Sequence, residues 1–502
     1  MKKYFPLLLV LATPPVTAAY LDDVGFTDLK LLHGAGLANG ATVAPTLVEA
    51  NVDVEYMDAI VDAWWPNRLH SELLDVTFVP LPPTEVYSDH ATGSARRIAG
   101  TTSSMTPGVE TVAIYEADNW LSNFLRVDTA GSAPLASVSR IANHSWVGDY
   151  DDTAENVDAL QRLDWLINRD EFIQVVGNSN NATLKPLLAN AFNAIAVGRT
   201  DGVHSTGSLA LDTTYVAGRA NPHLVAPLGT TSAATAVVTS AATLLIDTAQ
   251  ADPTLSREAD LIPRAAGAAP IKSAASAEVI KAVLMAGADR ATDNPGANIT
   301  DYRDSAEHAT DNGLDLRYGA GQLNILRSHS ILSAGEQDSM EDGGGTFLWS
   351  GFDYDPAFGG DNSNAVGTYT FTTTALAAEV TASLVWNLSV AEGPGYSPDP
   401  RLYNLDLELW QIDIAGDTLL ASSTSLLDNT ENIWTMLAPD GDYALRVVHS
   451  DAMDFAWDYA IAWHVQAVPL PAALPLLTAA LALLGFTRRG PRRARQRPAR
   501  RS

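Results

Sequence analysis

The sequence predicts two unlike layers: an α/β unit built on a parallel sheet flanked by helices, followed by an all-β antiparallel sandwich. Three observations predict them. Between residues 138 and 198, short apolar strands alternate with helical spacing, the pattern of a parallel sheet whose connections are helices. From Ser232 to Ile246 the chain carries only small, β-branched and aliphatic residues with no charge, which suits a fully buried helix. Past an acidic, glycine-rich linker at Glu336–Gly345, strand-like runs recur between turn-rich stretches, as in a sandwich.

In chain order, Lys2 and Lys3 precede an apolar run from Leu7 to Ala12, with small residues at Thr17, Ala18 and Ala19. This reads as a secretory signal over 1–19. Gly40 to Glu49 ends in a strand, with Glu49 at its C-terminal end. Ser88 to Gly100 is a helix rich in small residues that opens with His90. Val138 to Ser145 is a strand, and Ala154 to Asn168 a helix with Leu160, Leu163, Trp165 and Leu166 at its apolar positions. Phe172 to Val176 is a buried-type strand closing on Gly177-Asn178-Ser179, and Asn193 to Gly198 is another short strand. Ala251 to Ala275, rich in alanine and proline, is a loop, and Glu278 to Arg290 a helix. In the sandwich the strands fall at Gly367–Thr374, Glu379–Asn387, Leu405–Gln411 and Tyr443–Val448. Val468 to Phe486 is long and apolar enough to span a bilayer, and only arginines follow as charged residues.

Charge and composition exclude several functions. Without the two lysines of the signal and the eight arginines of the tail, the formal charge falls from −28 to −38. So acidic a body repels nucleic acid and anionic lipid. The absence of cysteine excludes disulfides and thiolate metal sites.

The chemistry centres on Gly218–Ile246, where a rigid Pro222–Pro227 run leads into Gly229-Thr230-Thr231-Ser232. A serine in the first turn of a buried helix has free backbone N–H groups beside it that can hold a developing oxyanion. Ser232 is the candidate nucleophile, with Thr231 in an alternative register.

This stretch resembles the serine signature of the subtilisin-like proteases (subtilases), through Pro222, Leu224, Val225, Ala226 and Pro227 in the lead-in and Thr231, Ser232, Ala234, Val238, Leu244 and Leu245 in the helix. It departs at His223, at the extra threonine, at Ala236 where the family has proline and at Ser240 where it has glycine. Ser88–Gly100 resembles the family's histidine helix, so the resemblance implies His90 as general base. Gly40–Glu49 resembles its first core strand, which implies Glu49 as the acid that orients the histidine, with Asp53 as the alternative. Gly177-Asn178-Ser179 resembles the turn whose asparagine donates to the oxyanion, which implies Asn178, although Asn180 and Asn181 adjoin it. The order acid, histidine, serine at 49, 90 and 232 is that of the subtilisins. The histidines at 144, 204 and 223 read as structural.

Arg317–Asn324 resembles the family's closing segment, so the predicted peptidase unit is 20–335 with the sandwich at 346–466. The sandwich resembles modules appended to secreted proteases. The VPLPAALPLL motif, apolar helix and arginine cluster of 468–502 resemble a PEP-CTERM sorting tail, which implies an exosortase-type processing partner and an exported protein in the cell envelope, held through that helix before processing. Substrates are then proteins or peptides, and no cofactor is called for. The acidic stretch Asp353–Asp361 reads as a solvated loop, with structural Ca²⁺ as the alternative. Two other readings remain: an inactive subtilase scaffold that binds a surface or matrix partner, and an acid peptidase with a Glu/Asp/Ser site on the same fold.

Overall fold

The computed structural model describes residues 19–468 except 185, 258–260, 266, 291–307, 348, 361–364 and 450–455. The predicted signal and sorting tail, but for their innermost residues, lie outside the described residues.

Two short helices, α1 (Tyr20–Asp23) and α2 (Phe26–His33), precede β1 (Thr46–Glu49). An exposed hairpin of β2 (Val52–Tyr56) and β3 (Ala59–Ala63) comes before β4 (Thr77–Val79), α3 (Asp89–Ala99) and β5 (Thr111–Glu116). Then come α4 (Ala117–Asn119), β6 (Ile141–His144), α5 (Thr153–Asp170), β7 (Ile173–Gly177), β8 (Ile195–Arg199), β9 (Leu224–Ala226) and α6 (Thr231–Ala251). Helices α7 (Ala277–Ala286) and α8 (Ile325–Ser333) close the layer.

Seven of these strands form one sheet in the order β4-β5-β1-β6-β7-β8-β9, every pair parallel. Strands covered on both faces are mostly apolar and pair the polar groups they bury: β1, β6, β7 and β9 are buried at every position, and His144 of β6 bonds Gln174 of β7. Helix α6 lies against β6 to β9 and against α3. Its Leu244, Leu245 and Ile246 are fully buried, roughly 1.5–3 kcal/mol apiece. From β1 the chain runs first to the edge strand β4, comes back to β5 beside β1, and then crosses to β6 to build the other side, so the two halves of the sheet meet at β1. Crevices where the halves of a parallel sheet meet, outside the C-terminal strand ends, are where such sheets place ligands.

The second unit contains β10 (Ser350–Gly359), β11 (Val366–Thr372), β12 (Ala378–Val385), the β13 (Ser389–Gly393) and β14 (Ser397–Arg401) hairpin, β15 (Leu405–Ile412), β16 (Thr418–Ser423), β17 (Thr430–Leu437), β18 (Asp442–His449) and β19 (Ala456–Ala467). Two antiparallel four-stranded sheets, β10-β19-β12-β17 and β11-β18-β15-β16, enclose Tyr369, Phe371, Trp386, Leu407, Leu445 and Trp463. The fold is thus a parallel α/β layer followed by a β-sandwich.

The sandwich is fastened to the α/β layer by polar groups that satisfy one another. Asn193 exchanges bonds with Leu388, through Leu388 N–H to Oδ1 (2.7 Å) and Nδ2 to its carbonyl (3.1 Å). Thr381 donates to the α7 carbonyl of Ala286 at 2.8 Å.

Two expectations change. Asp353–Gly359 is part of β10 rather than a solvated loop, with Asp353 and Asp355 buried. Asp353 is tolerated inside because Tyr369 O–H donates to it at 2.6 Å; burial pushes its carboxyl well above the usual range. Glu336, taken as the start of a linker, is buried and accepts from Ser273 Oγ at 2.8 Å, so it seals the α/β layer.

Candidate active site

Glu49 is the last residue of β1, and the sheet buries its side chain to 2% exposure. His90 is the second residue of α3, whose first turn is capped by Ser88 Oγ accepting the Ala91 N–H at 3.1 Å. Between them, His90 Nδ1 meets Glu49 Oε2 at 2.6 Å. That bond raises the imidazole pKa above 6.5; burial opposes it, and the Glu49 charge adds to it. Asp53, the alternative acid, stands on the exposed β2–β3 hairpin.

Small residues let the histidine helix approach the serine helix, as Ala95, Ile98 and Ala236 share one apolar cluster. Ala236 therefore occupies a tight helix–helix contact. Ser240 accepts the Met105 N–H and meets Thr106 Oγ1, both at 2.9 Å, so its hydroxyl ties the loop after α3 to α6.

Thr230 caps α6 by accepting the Ala233 N–H at 3.2 Å, which makes the additional threonine a helix cap. Thr231 follows, 2% exposed, and Ser232 is next, half-buried. Among the described residues the Ser232 N–H has no hydrogen-bond partner. Its Oγ donates to the Ser145 carbonyl at 3.0 Å, while Ser145 Oγ donates to the Ser232 carbonyl at 3.0 Å. Asn143 Nδ2 bonds Ser145 Oγ at 2.8 Å, and Thr239 donates to Asn143 Oδ1 at 3.1 Å. Nothing in the sequence marked Ser145 as the partner of Ser232. Among the described residues no hydrogen bond joins Ser232 to His90, so the structure couples Glu49 with His90 and holds the Ser232 hydroxyl on Ser145.

Beside Ser232 opens a pocket of about 380 Å³ lined by Trp146, Val147, Asn178, Asn180 and Thr231, among others. Gly177 lets α6 pack close to the end of β7, since a Cβ there would stand 2.8 Å from Thr235 Oγ1. Asn178 is 1% exposed, and its Nδ2 donates to the Ser205 carbonyl at 2.7 Å. Asn180, exposed, accepts the Thr231 N–H on Oδ1 at 2.9 Å.

The histidines at 144, 204 and 223 are held as neutral framework groups. Burial takes His144 and His204 down to about 4, with Nε2 of each bonded at 2.8 Å to Gln174 and 2.7 Å to the Arg317 carbonyl. His223 Nδ1 accepts the Ala196 N–H at 2.9 Å, and burial depresses its pKa well below the ordinary value. A neutral histidine thus stands where the resembled motif has a carboxylate.

The structure thus sets an acid–histidine pair at the C-terminal end of β1 and the start of α3, and a serine in the first turn of α6, against which α3 packs. No protein-family model matches the chain, and no curated protein does. Among solved structures it is similar to a cold adapted subtilisin-like serine proteinase at 17% identity, over 57% of this chain and 90% of that one, with a TM-score of 0.32. It is similar over 24% of its length to the pre-peptidase C-terminal domain of a collagenase from Bacillus anthracis, at 16% identity, 92% of that chain and a TM-score of 0.17. A periplasmic inhibitor of g-type lysozyme from Salmonella Typhimurium is similar at 17% identity over 24% of this chain and 92% of that one, with a TM-score of 0.14. At these identities and TM-scores none of the three bears on activity.

Proposed function

We propose that the chain is an exported serine endopeptidase of subtilase type, hydrolysing protein or peptide substrates through Ser232, His90 and Glu49. The observation that carries the reading is the 2.6 Å bond between His90 Nδ1 and Glu49 Oε2, made by the first turn of α3, the helix that packs against the serine helix α6. Ser232 Oγ attacks the scissile carbonyl carbon while its proton passes to His90 Nε2, and the carbonyl electron pair becomes an oxyanion. Glu49 holds His90 with Nε2 turned to the serine and stabilises the imidazolium. The oxyanion is received by the Ser232 N–H and a side-chain amide of the turn that holds Asn178 and Asn180. Collapse expels the amine, which takes the proton from His90. Water then repeats the sequence on the acyl-enzyme, releasing the acid and restoring Ser232.

In this reading the signal at 1–19 exports the chain, and the tail at 468–502 holds it in the envelope until an exosortase-type enzyme processes it. The test is hydrolysis of an unstructured protein by the purified body. Activity that disappears in both Ser232→Ala and His90→Ala supports the reading; equal activity in either variant contradicts it.

One observation favours the second reading, an inert scaffold that binds a surface partner. The Ser232 proton is donated to the Ser145 carbonyl and not to His90. For the catalytic reading, Ser232 χ1 must rotate when substrate arrives. A folded wild type with no turnover on any peptide would favour the scaffold.

A further inference from the structure

An oxyanion at Ser232 needs a second donor besides the backbone N–H, and the turn after β7 offers three asparagines, at 178, 180 and 181. Their hydrogen bonds separate them. Asn178 belongs to the framework: its own N–H is held by the Val197 carbonyl at 2.9 Å, its Nδ2 by the Ser205 carbonyl at 2.7 Å, and the side chain is 1% exposed. The next residue continues the same attachment, with Ser205 Oγ accepting the Ser179 N–H at 3.1 Å. Asn181 shapes the turn, its Oδ1 accepting both the N–H (3.0 Å) and the hydroxyl (2.9 Å) of Thr183.

Asn180 is placed differently. All three asparagines line the pocket beside Ser232, but among the described residues only Asn180 bonds to α6: its Oδ1 accepts the N–H of Thr231, the first residue of that helix, at 2.9 Å. This bond also settles which way the carboxamide faces, since turning it over would set its NH₂ against the Thr231 N–H. The NH₂ end of Asn180 has no protein partner among the described residues. By taking up the Thr231 N–H, the Asn180 carboxamide is held at the helix terminus, where the next N–H, that of Ser232, has no partner among the described residues.

We infer that Asn180, rather than Asn178, supplies the side-chain hydrogen bond to the oxyanion at Ser232. The assignment rests on the proposed acyl-transfer reaction and makes Asn180 a catalytic residue of it. The helix terminus contributes twice: its first N–H orients the amide, and its second joins the amide in binding the developing charge.

Steady-state hydrolysis of a chromogenic peptide tests the assignment, using wild type, Asn180→Ala, Asn180→Asp and Asn178→Ala, each checked by thermal melting. Asn180→Asp keeps an oxygen for the Thr231 N–H while replacing the donor by a negative charge that repels the oxyanion, so it separates catalysis from capping. Both Asn180 variants are expected to lower kcat by about 10²–10³-fold with KM changed by no more than about threefold. Asn178→Ala is expected to lower the melting temperature, with kcat in the folded protein within about tenfold of wild type. Two results would overturn the assignment: Asn180→Ala with kcat within about threefold of wild type, or Asn178→Ala with about 10²-fold lower kcat at an unchanged melting temperature. A folded wild type that neither turns over the peptide nor reacts with a fluorophosphonate sinks the acyl-transfer reading, and the assignment with it. Full wild-type activity alongside an unaffected Asn180→Ala sinks the assignment alone.

Discussion

Replacing Glu49 by glutamine removes one charge from beside His90 and almost nothing else. The glutamine Oε1 still accepts the Nδ1–H now shared at 2.6 Å, so the ring keeps its tautomer and orientation. In the proposed reaction, what is lost is the attraction between carboxylate and imidazolium, the state His90 would enter on taking the Ser232 proton. Charges ~4 Å apart at an effective dielectric of ~20 attract by ~4 kcal/mol. His90 is 42% exposed, so solvent screening reduces this to roughly 2–3 kcal/mol, a 30–150-fold loss of kcat/KM. The pH profile carries the more specific signature. The Glu49 bond raises the His90 pKa above 6.5 against the effect of burial. His90 must be neutral to act as base, so activity appears as pH rises through that raised value. In Glu49→Gln the acid limb moves to lower pH while the plateau falls. The stability sign runs the same way, since a raised histidine contributes fully below its unfolded pKa of ~6.5 and loses that contribution as pH rises through the folded value. The variant's deficit in melting temperature is therefore larger at pH ~6 than at pH ~9. Measured kcat/KM from pH 5 to 10 decides the matter: an acid limb that stays in place, or a loss below about threefold, refutes the role given to Glu49.

Three further outcomes follow from the same geometry. Ser240→Ala strips the Met105 N–H of its acceptor inside the α3–α6 contact and is expected to cost about 1–3 kcal/mol in urea unfolding. Burial pushes the Glu72 carboxyl up, but bonds from Ser103, Thr102 and Arg96 outweigh it and bring it down to about 2. Its stabilising effect is present above its unfolded value of 4.5 and is lost as pH falls through about 2, so Glu72→Gln flattens the acid arm of a melting-temperature profile between those values. Lys281 is fully buried, with Nζ on the Phe192 carbonyl at 2.9 Å, and burial lowers it to about 7. Here the unfolded chain binds the extra proton between pH 7 and 10.5, so this group makes stability rise with pH across that window, and Lys281→Met removes the rise.

What could be read in the sequence was what local pattern encodes. Strands covered on both faces are largely apolar runs, which made β7 and β8 visible, and the uncharged stretch after Ser232 could only be a buried helix. Glu49 was legible as a strand-end carboxylate, but its reach to His90 depends on how α3 packs beside β1, which no local pattern contains. The three-residue β4 carries too little pattern to stand out, and the polar Glu116 that ends β5 caps the helical turn behind it. The buried aspartates of β10 imitate a surface loop because the tyrosine that satisfies Asp353 lies on another strand. Asn180 escaped selection for the same kind of reason, since its bond to Thr231 joins the β7 turn to a helix far along the chain.

The central claim is that Ser232 is an activated nucleophile. The most direct measurement is the mass of the intact body after fluorophosphonate treatment at pH ~8, with the adduct located by peptide mapping. A single adduct on Ser232 is expected, retained in Thr231→Ala and absent from Ser232→Ala. A folded protein that takes no adduct, or takes it on Thr231, would contradict it.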